Sequence, residues 1–166
     1  KNLDFLIRDI SYEKFKKDNA TLQIEGYKDK KKLFLKKINY KENNNKIEIK
    51  NLEINNNKIS NIENIKLDYL NNNNFKNQVI LIKSKDNYNL KGKSFDAMQF
   101  IETISNSKTN SNFFEIFEDL NSKIKFIINE VRLDDESTVY NLNGNLEIKN
   151  SKIFDLNLNS TFENNE

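Results

Sequence analysis

Side-chain chemistry in this chain has a narrow repertoire, because it contains neither histidine nor cysteine. The commonest general base, the thiol nucleophile and the usual transition-metal ligands are therefore missing, and only carboxylates, Ser, Thr, Tyr and Lys remain. The acidic run Asp134, Asp135 and Glu136 is the nearest approach to a cation site. It lacks the alternate-position ligands and central glycine of a calcium loop, and it reads as a hairpin turn. Glu115, Glu118 and Asp119 lie opposite aromatic residues at helical spacing, which describes a solvated face. Gly26, Gly92 and Gly144 stand singly, so no glycine-rich loop can cradle phosphate. These residues point away from an enzyme, and no catalytic residue, metal ligand or cofactor is assigned.

One basic cluster stands out, running through Lys28, Lys30, Lys31, Lys32, Lys36 and Lys37 with Tyr27, Phe34 and Tyr40 interleaved. Such a cluster could hold phosphate or a single nucleic-acid strand. Leu33 and Leu35 alternate with Lys32, Phe34 and Lys36 as in an ordinary hairpin strand, so the solvated-face reading is preferred and no nucleic acid is expected. The balance of 27 basic and 25 acidic residues, net +2, gives no long-range field toward a polyanion.

The elements that position these side chains are mostly hairpins. The segment NLEINNNKI at 51–59 returns as NLEIKNSKI at 145–153 with seven of nine positions identical. Each copy reads as strand, Asn-rich turn and strand. Alternation puts Leu52 and Ile54, and likewise Leu146 and Ile148, on one face, with Glu53, Asn55, Glu147 and Lys149 on the other. A sheet patterned this way owes its function to its apolar face. Asn, Lys and Ile dominate the composition, as AT-rich codons would produce, and tracts such as 43–45 and 71–74 read as turn filler, since Asn tolerates positive φ.

Strands are expected near 3–10, 20–26, 32–40, 46–55, 58–70, 75–84 and 86–93, with 11–17 a turn or short helical piece. At Ser94 the pattern changes. An N-cap serine, Asp96 in the first turn, and Phe95, Met98, Ile101 and Ile104 at helical spacing predict a helix over 94–105. Phe113, Phe114, Ile116, Phe117 and Leu120 predict a second short helix over 112–120, completing a helical hairpin. Sheet resumes at 122–133, 137–149 and 152–162, where Leu142, Gly144, Leu146 and Ile148 share a face. Phe154, Leu156, Leu158 and Phe162 form another inward run, with Asp155, Asn157, Asn159 and Thr161 outward.

The fold class is thus mainly β: a curled antiparallel sheet of repeated hairpins, taco-like or half-barrel, with a short helical hairpin inserted near 94–120. The organisation is a hairpin region over 1–93, the helical insertion over 94–120 and C-terminal hairpins over 121–166, in one continuous domain. The first residue is Lys1, and the chain reads as a segment of a longer protein. No stretch approaches the roughly 20 apolar residues of a membrane helix, so any anchor is expected outside it. Roughly ten strands at ~4.8 Å make a sheet near ~50 Å wide, whereas two helices of ~10 Å diameter cover ~20 Å of it. The remaining apolar face must curl, pair with a second sheet or line a groove.

The passage YNLKGKSFDAMQFIETI at 88–104, with Gly92 and Asp96 as fixed points, resembles the strand, glycine, aspartate and helix passage of AsmA-like envelope proteins. The following INEVRLDDESTVYNLNGNLEIKNSKIFDLNLNSTFENN is similar to the repeating hairpins in the branch with the YhdP and TamB relatives, so the resemblance is strongest over 75–166. It implies a protein anchored in the inner membrane with its bulk in the periplasm, concerned with phospholipid transport or outer-membrane biogenesis. Its partners would be phospholipid acyl chains, held by an apolar β-groove, and neighbouring β-repeats of the same chain. On that reading Leu142, Leu146, Ile148, Leu156 and Leu158 are the lipid-facing candidates, although each would serve equally in a plain core. Two other readings stay open: a closed half-barrel ligand module with the helix from Ser94 to Ser105 as its lid, and a structural or adhesive β-sandwich without ligand.

Overall fold

A computed structural model describes residues 5–7, 11–14, 19–85, 87–105, 122–149 and 152–162. The elements are β1 (Phe5–Ile7), β2 (Tyr12–Lys14), β3 (Ala20–Asp29), β4 (Lys32–Glu42), β5 (Asn45–Asn55), β6 (Lys58–Leu70), β7 (Lys76–Ser84), β8 (Asn87–Asp96), α1 (Met98–Ser105), β9 (Ser122–Arg132), β10 (Thr138–Lys149) and β11 (Lys152–Phe162). The fold is mainly β, as the alternation predicts. Nine strands form one open sheet in the order β11-β10-β9-β8-β7-β6-β5-β4-β3, and β1 and β2 make a separate pair.

Short polar turns make this meander possible. Asn56 and Asn57 both adopt positive φ between β5 and β6, the requirement of a two-residue type I′ hairpin turn. Asn43, Lys30 and Lys85 take positive φ at the neighbouring turns. The repeated segment folds the same way twice. Asn55 pairs with Lys58 and Ile54 with Ile59, and correspondingly Lys149 pairs with Lys152 and Ile148 with Ile153. Both hairpins then slip by one residue, at Ser60 and at Phe154, before Leu52 meets Ile62 and Leu146 meets Leu156. Phe154 therefore does not continue the inward run of Leu156 and Leu158. It is the extra residue of a bulge, with the Lys149 ammonium 3.7 Å from its ring centre.

The joint between β8 and β9 is parallel, because the chain leaves the end of β8 through α1 and crosses back to start β9 beside the start of β8. The helix is shorter than expected. Ser94, Phe95 and Asp96 belong to β8, where Phe95 lies opposite Val131 and Asp96 opposite Arg132. Ser94 is thus not an N-cap: its hydroxyl donates to the Lys76 carbonyl. Pairing on both flanks of β8 outweighs the local helical pattern, and the carbonyl of Ala97 accepts the first helical bond, from Ile101 N–H. The expected second helix over 112–120 lies outside the described residues. Residues 12–14, read as a turn or helical piece, are instead a strand paired with β1.

Two clusters of buried residues pack at one end of the sheet, and Leu52, Ile62, Tyr88, Leu146 and Ile148 are buried toward the other. Val79, Ala97, Ile128, Val131 and Val139 pack together, with Leu67, Leu90, Phe95, Phe126, Leu133 and Leu142 against them. Tyr12, Tyr40, Ile47 and Tyr69 form the second, the ring of Tyr12 meeting Tyr40 and Tyr69 edge-on. This end carries the β4–β5, β6–β7 and β9–β10 turns and the start of α1, and is called the closed end below.

Candidate functional site

Residues directly opposite on neighbouring strands share a face, so the pairing register defines rows across the sheet. One row runs Leu22, Tyr40, Ile47, Leu67, Val79, Gly92, Ile128 and Leu142. It lies against the two core clusters, and Tyr40, Ile47, Val79 and Ile128 are buried. The next row, farther from the closed end, runs Ile24, Ile38, Ile49, Ile65, Leu81, Leu90, Phe126, Gly144 and Leu158, and it crosses all nine strands. Its environment is different. From Ile38 to Phe126 every member is only partly buried, and at the two ends Ile24 is 55% and Leu158 42% exposed. Nine strands at about 4.8 Å spacing make this apolar strip about 38 Å long.

The opposite face carries Glu25, Lys37, Asn39, Glu48, Lys50, Lys66, Asp68, Lys91, Lys125 and Asn157, with Ile80, Ile82 and Ile127 as apolar interruptions. Charge on it is locally paired. Lys46 lies 3.0 Å from Glu48, Lys76 2.5 Å from Asp68, and Lys123 3.5 Å from Glu147. The Lys46 contact is the leading cause holding the Glu48 carboxyl below its ordinary value. Two glycines shape the apolar face. A Cβ on Gly92 would run into Val79 Cγ1 and the Gln78 carbonyl, and one on Gly144 into the backbone at Asn157 and Leu158. Neighbouring strands therefore approach closely at both positions, leaving no room for a side chain.

A polar knot locks the closed end. Asp96 accepts hydrogen bonds from Asn71 Nδ2 at 2.6 Å and from Met98 N–H at 3.1 Å, with Arg132 3.9 Å away. Asn77, which is fully buried, accepts from the Asp96 N–H. Asn71 Oδ1 in turn accepts from the backbone of Asn73 and Phe75. Tyr12 donates to Glu42 Oε2 and its hydroxyl lies 3.1 Å from that of Tyr40. Burial first, and then the nearby Asp96 charge, push the Tyr69 phenol above its ordinary range. Each of these groups serves to fasten strands, and among the described residues no group of three Asp or Glu side chains converges as metal ligands.

The five candidate residues fall in different environments. Leu146 and Ile148 are buried, Leu142 packs partly against the core, and Leu156 and Leu158 are exposed on β11, Leu156 at 52%. They share the apolar face, since Leu142, Gly144 and Leu146 oppose Ile128, Phe126 and Ile124. The central members Ile38, Ile49, Ile65, Leu81 and Leu90 were not singled out from sequence, although the alternation in KIEIK marks their face. Of the other candidates, Asp134 Oδ1 accepts from the N–H of Glu136 and Ser137, so the acidic run is a turn. The aromatics of the basic cluster split between faces, Tyr27 stacking on Phe34 at 4.8 Å while Tyr40 is in the core. A pocket of about 220 Å³ among Lys32, Phe34, Glu53, Ile54, Asn55 and Ser60 lies beside the β5–β6 turn.

No helix among the described residues is long and apolar enough to cross a membrane. No protein-family model matches the chain, and neither a curated protein nor a solved structure matches it.

Proposed function

We propose that the half-buried row from Ile24 to Leu158 is a groove for phospholipid acyl chains, and that the chain is a periplasmic segment of an AsmA-like envelope protein moving lipid between inner and outer membranes. The observation that carries this reading is a continuous apolar row over nine strands that is neither sealed like a core nor broken by charge. Acyl chains ask for that arrangement, a non-directional apolar strip worth about 0.8 kcal/mol per buried CH₂ and no catalytic group. Headgroups stay in water along the open side. An inner-membrane anchor lies outside the chain.

The test places a photocrosslinking residue at Leu81, in the middle of the row, and separately at Lys66 on the opposite face, in the native envelope. Phospholipid adducts at Leu81 alone support the groove. Adducts at neither position, with both variants folded, favour a structural β domain without ligand.

A further inference from the structure

The outer edges of the sheet are long and exposed. Every residue of β3 is exposed, as are residues 154–162 of β11, and Leu22, Ile24, Leu156, Leu158 and Phe162 leave apolar side chains there. Among the described residues no strand pairs with either outer edge. The chain has no proline to blunt them.

Strand polarity makes these two edges complementary. In a nine-stranded sheet that alternates strictly, the first and last strands run the same way, and joining one copy to the next needs a parallel contact. The single parallel joint between β8 and β9 reverses this parity. Here β3 runs away from the closed end and β11 runs toward it. A second copy set beside the first, with the same end closed and the same face apolar, therefore offers its β3 to β11 as an antiparallel neighbour, the pattern of every other joint in the sheet except one. The duplicated hairpin supports the same geometry. In its first copy the outer strand β6 is covered by an antiparallel strand, β7, whereas in its second copy the outer strand is β11.

Register follows from the rows. Leu158 and Ile24 end the same row, and setting them opposite one another places Leu156 over Gly26, Ser160 by Leu22 and Phe162 by Ala20 on the apolar face. Large side chains then meet small ones. On the outer face Asn157 meets Glu25, Asn159 meets Gln23 and Thr161 meets Thr21, with no like charges opposed. We propose that β11 takes β3 of a second copy of this chain as an antiparallel neighbour, with Leu158 opposite Ile24, so that copies join head to tail into one longer sheet. This holds whatever the groove contains.

Ile24→Lys and Leu158→Lys each block one edge, and both sites are exposed enough for the fold to tolerate a lysine, which circular dichroism checks. Analytical ultracentrifugation of the parent chain should show concentration-dependent association beyond a dimer. Each variant alone should be monomeric, and an equimolar mixture should form one-to-one dimers and stop there. Association of either variant by itself would reveal a β11–β11 or β3–β3 contact and overturn the proposal, as would a parent chain monomeric at every concentration. The cysteine-free chain also permits a register test with Glu25→Cys and Asn157→Cys in one chain. Oxidation should give a ladder of covalent oligomers, whereas a disulfide confined within single chains would mean that the sheet closes on itself and refute the joint.

Discussion

If the row from Ile24 to Leu158 is open rather than a sealed core, truncating one of its central residues must cost much less than the same truncation in the row beside it. Ile128 and Leu81 make the comparison. Ile128 is 2% exposed among Val79, Ala97, Val131 and Val139. Ile128→Ala removes three buried carbons at about 0.8 kcal/mol each and leaves a cavity, for a loss of about 3.5 kcal/mol. Leu81 is partly exposed. Leu81→Ala removes the same number of carbons, but with about a quarter of their surface already wet and solvent filling the gap, the loss is about 1.8 kcal/mol. With a urea dependence of about 2 kcal/mol per molar, the unfolding midpoint falls by about 1.7 M for Ile128→Ala and about 0.9 M for Leu81→Ala. Far-UV circular dichroism in urea measures both. Equal losses would show that something seals the Leu81 row, and the groove would then have no physical basis.

Three further perturbations probe the scaffold around the groove. Asp96→Ala removes the acceptor for Asn71 and Met98 and the counter-charge of Arg132, and should cost about 2–3 kcal/mol in urea unfolding, with Asp96→Asn recovering part of it. Tyr12→Phe deprives the buried Glu42 carboxylate of its hydroxyl donor while its Oε1 already has no partner among the described residues; a loss of about 1–3 kcal/mol is expected, and an unchanged midpoint would dismiss Tyr12 as a fastener. Partial desolvation alone would raise the Asp68 carboxyl, but Lys76 and Gln78 together hold it below its ordinary value of 3.8. Its folded value being the lower one, Asp68 stabilises the fold above pH 3.8 and that contribution fades as pH falls further, so Asp68→Asn should flatten the acid limb of an unfolding profile.

Strands and turns were legible because alternation and Asn-rich turns are local signals: Leu52 and Ile54, their copies Leu146 and Ile148, and the Asn56–Asn57 turn all fold as patterned. Three features were not. Ser94 to Asp96 carry a helical signature, and only pairing with β7 and β9 makes them strand. Phe154 fits the alternation of β11, yet a one-residue slip takes it out of the ladder. Asn71 and Asn77 resemble the surrounding filler asparagines, and their burial depends on Asp96, which arrives from the neighbouring strand β8. The candidate groove was legible as a face but not as a site. Leu146 and Leu158 alternate identically, and only the three-dimensional neighbours make one buried and the other exposed.

The parallel joint also sets an order of assembly. All other joints of the sheet connect strands consecutive in the chain through short turns, and such hairpins close within about microseconds. Strands β3 to β8 and β9 to β11 can thus zip up as two separate blocks. They meet only after residues 97–121 have been traversed and Ala97 and Val79 have docked on Ile128, Val131 and Val139. The seam is then the last part of the sheet to form. Pulse-labelling hydrogen exchange during refolding should find the amides between β5 and β6 protected before those that bridge β8 and β9. A refolding molecule would thus pass through two separate ribbons before the buried cluster between them closes.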